Sequence, residues 1–377
     1  MKVTVLATIA ASLAFAVAGY FMTGPSLTAA AGASISSQTN SILFDATRII
    51  DLLKALIGAK GLTPTPSTAF TPSLVPATTT PNTPTKITEP VKAAEPSKVM
   101  PLTSTEAKLG LVLPSLRSAV VNIVCVSKDS RVIRGVSGSG VIIDSRGTIL
   151  TVAHVAQYLL IAEAYPDLLS CGVRTGSPAI ASYIASPIYV SKDWVSENAK
   201  VISTSQARGT GENDYALLAI TGTATKTPLP ASFPYVPLTT SIPKVANPIV
   251  IGGYGSEFAT NATIRTNLYP ILIFGSIKER YTFETQTVDT ISLGGGAAAQ
   301  QGASGGGAIN TSGELIGLIT TRSSSDDINA RNLRAITMDY VRRAFKAETG
   351  ESLDSYLARN PKSLVESYTD QANELAE

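Results

Sequence analysis

The sequence predicts an all-β protein, a barrel or a sandwich, and three observations carry that prediction. From Leu111 onward, short Val/Ile-rich runs recur between Gly, Ser and Pro, which is how strands separated by turns read. The proline-rich stretch Thr227-Pro-Leu-Pro-Ala-Ser-Phe-Pro234 divides those runs into two halves of similar length. Helical periodicity interrupts them at two patches, residues 155–165 and 339–347.

Taken in order, the chain of 377 residues opens on Lys2 and a mostly apolar run over 3–22. Residues 1–33 then end in Ala29-Ala-Ala31-Gly-Ala33. A basic start, an apolar stretch and a small-residue exit fit a secretory signal. The run also has the ~20-residue length that spans a bilayer. A cleaved signal and a retained membrane anchor both stay open, and either places the remainder outside, in a periplasm or at a cell surface.

Within residues 34–60, Leu43, Ala46, Ile50, Leu53 and Ile57 step by threes and fours, an amphipathic helix that Gly58 would stop. It suits self-association, a membrane surface or packing on its own protein. Residues 61–108 are dominated by Thr, Pro, Ser and Ala. Prolines remove backbone donors and no apolar period exists, so this stretch builds no core. It reads as a stalk, at about 3.1 Å per residue reaching on the order of 100 Å.

The strand texture assigns residues 109–348 to one β domain, with halves at about 109–225 and 236–337 and a closing helix at 338–348. Its runs include 119–126, 140–143, 148–152, 215–220, 248–251, 269–274 and 314–320. Residues 349–377 form a polar, helix-prone tail.

Composition narrows the function classes. The chain is 44% hydrophobic and 15% charged, with a net charge of +2. No basic stripe offers itself to nucleic acid, and the single Trp194 provides no base-stacking surface. Cys125 and Cys171 are too few and too far apart for a CxxC metal or redox site. A disulfide between them and two buried thiols both remain open. No metal and no cofactor is expected.

Histidine occurs once, as His154 in Gly147-Thr-Ile-Leu-Thr-Val-Ala-His154. A base working near neutral pH is most readily built from imidazole, so any such chemistry is confined to that position. Further along stand Asp214, at the mouth of the apolar run Tyr-Ala-Leu-Leu-Ala-Ile220, and Ser304 in Gly302-Ala-Ser304-Gly-Gly-Gly307. Hydrolysis by a serine needs a base, a group that orients the base, and donors for the oxyanion. A carboxylate entering an apolar strand needs partners, and an imidazole N–H would be one. Glycines around Ser304 allow a tight turn that aims the amides of Gly302 and Ser304 at one spot. The run lacks the Gly-Lys-Ser/Thr ending of a phosphate-cradling loop.

Thr151-Val-Ala-His154, Asn213-Asp214-Tyr-Ala-Leu-Leu and Gly302-Ala-Ser304-Gly-Gly resemble the three signature segments of chymotrypsin-fold (trypsin-like) serine proteases. Three more stretches are similar to the HtrA-like bacterial branch: Ser137-Gly-Ser-Gly-Val-Ile-Ile-Asp144, Asn310-Thr-Ser-Gly-Glu-Leu-Ile-Gly-Leu-Ile-Thr-Thr321 and Leu333-Arg-Ala-Ile-Thr-Met-Asp-Tyr-Val341. The resemblance covers roughly residues 110–347 and implies two six-stranded Greek-key β-barrels with the active site between them, without a PDZ domain. It implies Ser304 as nucleophile, His154 as base and then acid, and Asp214 as the group fixing the imidazole tautomer. The Gly302 and Ser304 amides would form the oxyanion hole, and polypeptides would be the substrates.

The resemblance also places Ala298, Ile319, Thr320 and Thr321 around the substrate pocket, with the Thr320 side chain bonding the aspartate. An alanine at the pocket base favours small or medium apolar side chains over Lys or Arg. Three departures stand out. Ala303 replaces an aspartate that captures a new N-terminal amine, which disfavours activation by propeptide cleavage. Gly307 replaces a usual Pro and should loosen the turn after the nucleophile. The interval from His154 to Asp214 is long, and residues 159–198 are expected to cover or shape the cleft. A non-catalytic surface binding module on a protease-like barrel is the alternative, motivated by Ala303 and Gly307.

Overall fold

The protein is described by a computed structural model covering residues 103–128, 135–198, 210–283 and 286–376. The expected N-terminal signal or anchor, the helix over 34–60 and nearly all of the stalk lie outside the described residues.

Six antiparallel strands close the first barrel: β1 (Val120–Ser127), β2 (Gly135–Ile142), β3 (Thr148–Thr151), β4 (Leu169–Thr175), β5 (Ile180–Val190) and β6 (Ala216–Thr223). Their order is β1-β2-β3-β6-β5-β4. β3 therefore pairs with β6 rather than with its successor, which is the Greek-key crossover. All four residues of β3 and the first five of β6 are buried, as an apolar run between two packed faces requires. Ile123, Ile149, Leu150, Ile188, Leu217 and Leu218 form its centre.

The proline-rich divider crosses one end of this barrel. Phe233 donates its N–H to the Ser145 carbonyl (2.9 Å) and its ring covers Gly147. At Gly147 φ is +88°, and a Cβ would stand 2.8 Å from the Phe233 ring, so only glycine fits there.

The second half forms one seven-stranded antiparallel sheet, where the sequence implied six strands. It comprises β7 (Pro248–Gly253), β8 (Ile271–Ser276), β9 (Glu279–Tyr281), β10 (Thr290–Gly294), β11 (Gly307–Ile309), β12 (Leu315–Arg322) and β13 (Leu333–Thr337), ordered β8-β7-β11-β12-β13-β10-β9. Contacts between β10 and β8 curl it upon itself. The supernumerary strand is β9, three residues that extend the edge by pairing with β10. Too short for any period to register, it carries no sequence signal.

Helices cover the outside. α1 (Ser104–Ala119) starts upstream of the boundary expected at residue 109. Thr103 and Glu106 form a reciprocal capping box that sets its start. Pro114 lies within it, and that internal proline makes the segment read as non-helical in sequence. Leu116 seats α1 on β7, filling the space over Gly252.

α2 (Ala153–Ala164) and α5 (Met338–Thr349) coincide with the two expected helical patches; α3 (Lys192–Asn198) and α4 (Asn261–Thr266) are short. The polar tail folds into α6 (Leu353–Ala358) and α7 (Pro361–Ala376) and docks on β5. The Tyr368 hydroxyl accepts from the Val190 N–H (2.8 Å), and the Tyr356 hydroxyl donates to the Ile188 carbonyl.

Cys125 and Cys171 stand opposite each other on β1 and β4 and are joined as a disulfide. The bond spans 46 residues of sequence, enough loop to restrict the unfolded chain substantially. Replacing both cysteines by alanine should lower unfolding free energy by about 2–4 kcal/mol. Denaturant titration of the oxidised parent and the double variant measures it; coincident curves would show that the bond adds nothing.

Candidate active site

The imidazole and the carboxylate are assembled by one barrel. His154 is the second residue of α2, three residues beyond the end of β3. α2 has no side-chain cap of its own. Asp214 supplies one from just before the neighbouring strand β6: Oδ1 accepts the His154 backbone N–H (3.0 Å) while Oδ2 meets His154 Nδ1 (2.7 Å). One carboxylate thus satisfies an orphan amide at a positive helix end and fixes the ring. The ring nitrogen facing Asp214 is the donor, so Nε2 is left as the acceptor.

Asp214 is 4% exposed and is held on both sides. Asn213 has φ +54°, and the Tyr340 hydroxyl from α5 both accepts its N–H (3.0 Å) and donates to its Oδ1 (2.9 Å). Tyr215 is fully buried, its hydroxyl 3.0 Å from that of Tyr189. Burial works against the imidazolium of His154, but the Asp214 charge and hydrogen bond outweigh it and hold its pKa above the ordinary value. Trp194 on α3 comes within 6.5 Å of the imidazole, centroid to centroid, and is 7% exposed. The long interval between His154 and Asp214 thus builds β4, β5 and α3 and sets an aromatic wall beside the imidazole. Only its being the sole tryptophan could have marked it in sequence.

The serine comes from the second sheet and is tied to the first barrel by Ser139 on β2. The Ser139 N–H donates to the Ser304 carbonyl (2.8 Å), and its hydroxyl donates to the Gly302 carbonyl (2.7 Å) while accepting the Tyr254 N–H (2.8 Å). Thr151, three residues before the histidine, donates to the Ser139 carbonyl (2.7 Å). Nothing in the sequence around Ser139 marks it for this work. A Cβ on Gly305 would lie 2.0 Å from the Ser139 carbonyl oxygen and 2.5 Å from Thr151 Oγ1, so glycine is the condition for the two halves to meet.

The Ser304 hydroxyl itself donates to the Thr320 carbonyl (3.5 Å) and makes no hydrogen bond to His154. His154 and Asp214 are thus joined, while the Ser304 hydroxyl is turned toward β12. Among the described residues, neither the Gly302 nor the Ser304 N–H donates to a protein acceptor.

Two expectations are corrected. The Thr320 hydroxyl does not bond Asp214: its Oγ1 is buried without a partner, beside Gly211, because both Asp214 oxygens are directed at His154. Gly307 does not loosen a turn. It is a buried residue of β11, paired with Leu318 and Gly252, and a Cβ there would stand 2.4 Å from Leu315 Cδ1.

Of the other expected pocket residues, Ala298 (2% exposed) and Ile319 (1%) belong to the apolar core of the second sheet. Thr321 is half-buried on β12. No group of His, Cys, Asp and Glu among the described residues could hold a metal ion.

Compared with known proteins, the sequence model of the Trypsin family matches residues 124–338. Among solved structures, the Rv3671c protease from M. tuberculosis in its active form is 19% identical, with a TM-score of 0.39, over 70% of this chain and 95% of that one. The serine endoprotease from Yersinia pestis is 20% identical, with a TM-score of 0.42, over 67% of this chain and 68% of that one. No curated protein matches.

Proposed function

The chain belongs to the trypsin family, and on that premise we propose that it is an exported, HtrA-like serine endopeptidase working through Ser304, His154 and Asp214. The observation that carries this reading is the Asp214–His154 pair, closed at 2.7 Å with Nε2 left as acceptor. The Ser304 oxygen attacks the substrate carbonyl carbon as its proton passes to Nε2. The carbonyl electron pair moves onto oxygen and is received by the unoccupied N–H groups of Gly302 and Ser304. The intermediate then expels the amine, which takes the proton from the imidazolium, and leaves an acyl ester on Ser304. Water, deprotonated by the same imidazole, attacks the ester, and the serine regains its proton.

This cycle requires the hydroxyl to leave the Thr320 carbonyl and turn to Nε2. Catalytic hydrogen bonds commonly tighten only once substrate is bound. Residues 1–33 and the Cys125–Cys171 bond support export to an oxidising compartment. The resemblance that sets Ala298 at the base of the specificity pocket supports a small or medium apolar residue before the cleaved bond.

The turned-away hydroxyl favours a second reading, a binding module that does no chemistry. Casein digestion decides between them. The parent should cleave it, and Ser304→Ala should lose at least about a thousandfold in rate. Equal rates for the two proteins would remove the endopeptidase reading.

A further inference from the structure

The loop that presents the Gly302 amide is restrained by residues outside the triad. Gln301, just before it, is fixed through both backbone groups: its N–H donates to Glu257 Oε2 (3.0 Å), and its carbonyl accepts the Ser256 N–H (2.8 Å). The Ala299 carbonyl accepts from a terminal guanidinium nitrogen of Arg331 (2.7 Å). Glu257 and Arg331 are themselves joined by two parallel hydrogen bonds of 2.8 and 2.9 Å. Arg331 Nε is engaged by the Ser325 carbonyl (2.7 Å), and Arg322, at the end of β12, approaches Glu257 at 3.3 Å.

Arg331 is 5% exposed. Burying a guanidinium costs free energy, and a buried ion pair is weak evidence for stability in itself, so what the pair holds is informative. It holds the backbone of residues 299–301, immediately upstream of an N–H that must stand within hydrogen-bond reach of a developing oxyanion. Ala303, inside the loop, offers no charge that could hold it from within. Donors of this kind work only when positioned beforehand, and misplacement by about 1 Å can cost on the order of a hundredfold in rate.

We propose that Glu257 and Arg331 are positioning residues that keep the oxyanion loop in working shape in the resting protein, independently of any proteolytic activation. The inference rests on the serine endopeptidase reading and adds two residues to it. Glu257 stays ionised into the acid range. Burial pushes its carboxyl up, but the hydrogen bonds from Arg331 and Gln301 and the charges of Arg322 and Arg331 bring it below the usual value. The restraint is therefore present wherever the imidazole is a competent base.

The test uses the full chain with a peptide ester and a fluorophosphonate, whose phosphonyl oxygen occupies the same donors. Rates are normalised to active sites counted by labelling carried to completion. Glu257→Ala and Arg331→Met should each reduce kcat and the labelling rate by about tenfold to a hundredfold, with KM within about threefold. Glu257→Gln keeps an acceptor for the Gln301 N–H and should lose only about threefold to tenfold.

Folded Glu257→Ala protein with the parent's kcat and labelling rate would overturn the proposal. So would a rise in KM at constant kcat, which would mark a substrate contact instead. If Glu257→Ala does not fold, the same criteria apply to Glu257→Gln. A parent that neither labels nor cleaves the ester defeats the endopeptidase reading itself. An active parent equalled by its variants defeats only the restraint.

Discussion

Asp214→Asn is expected to reduce kcat by about four orders of magnitude while leaving the protein folded. Asparagine still offers an oxygen to the His154 backbone N–H, so the cap on α2 survives. Its amide presents N–H groups to Nδ1, which must then accept. The ring proton moves to Nε2, where it faces the serine, and the base is lost.

The same substitution should displace the pH profile. In the parent, Asp214 holds the imidazole pKa above its ordinary value. Activity needs the neutral ring, so kcat/KM should rise as pH climbs through that raised pKa. The stabilisation from the charged pair runs the other way: it is complete below about pH 6.5, the pKa of an unfolded histidine, and is lost as pH rises through the folded value. Without the carboxylate, burial alone acts and lowers the pKa, so the residual activity of Asp214→Asn should have its acid limb at lower pH than the parent. A loss under tenfold, or a limb that does not move, would show that Asp214 does not act through the imidazole.

The second large effect is expected at Gly305. A Cβ would stand 2.0 Å from the Ser139 carbonyl oxygen at a residue with φ +86°. Nothing nearby can yield cheaply, since the obstacle is backbone, and that backbone also holds the Ser304 carbonyl. Gly305→Ala should lower unfolding free energy by about 2–4 kcal/mol and activity by at least about a hundredfold. Gly350→Ala is the control. It has a similar φ of +76° at the C-terminal cap of α5 but open space around it, so it should cost only about 1 kcal/mol and leave kcat unchanged. Equal effects at the two glycines would mean that backbone strain, and not the seam between the halves, is being measured.

What was legible in the sequence was what local patterning encodes. The apolar runs of β3 and β6 declare buried strands, and helical periodicity marks α2 and α5. The segments of His154, Asp214 and Ser304 each stand out from the rest of the chain by their own neighbours. What was not legible depends on contacts between distant segments. α1 was hidden by Pro114, although Thr103 and Glu106 spell a capping box. Ser139 and Glu257 are ordinary polar residues in sequence, and only folding brings them against the loop of Ser304. Thr320 was misassigned because its position relative to Ser304 was readable while the direction of the Asp214 oxygens was not. Trp194 illustrates the same limit, forty residues from the histidine it stands beside.

Mapping a covalent adduct tests the central claim most directly. The parent is treated with a fluorophosphonate at neutral pH and digested, and the modified peptide is sequenced by mass spectrometry beside an identically treated His154→Ala protein. Adduct confined to Ser304 in the parent and lost in the variant is the predicted result. An unlabelled parent, or labelling that is indifferent to His154, would contradict it.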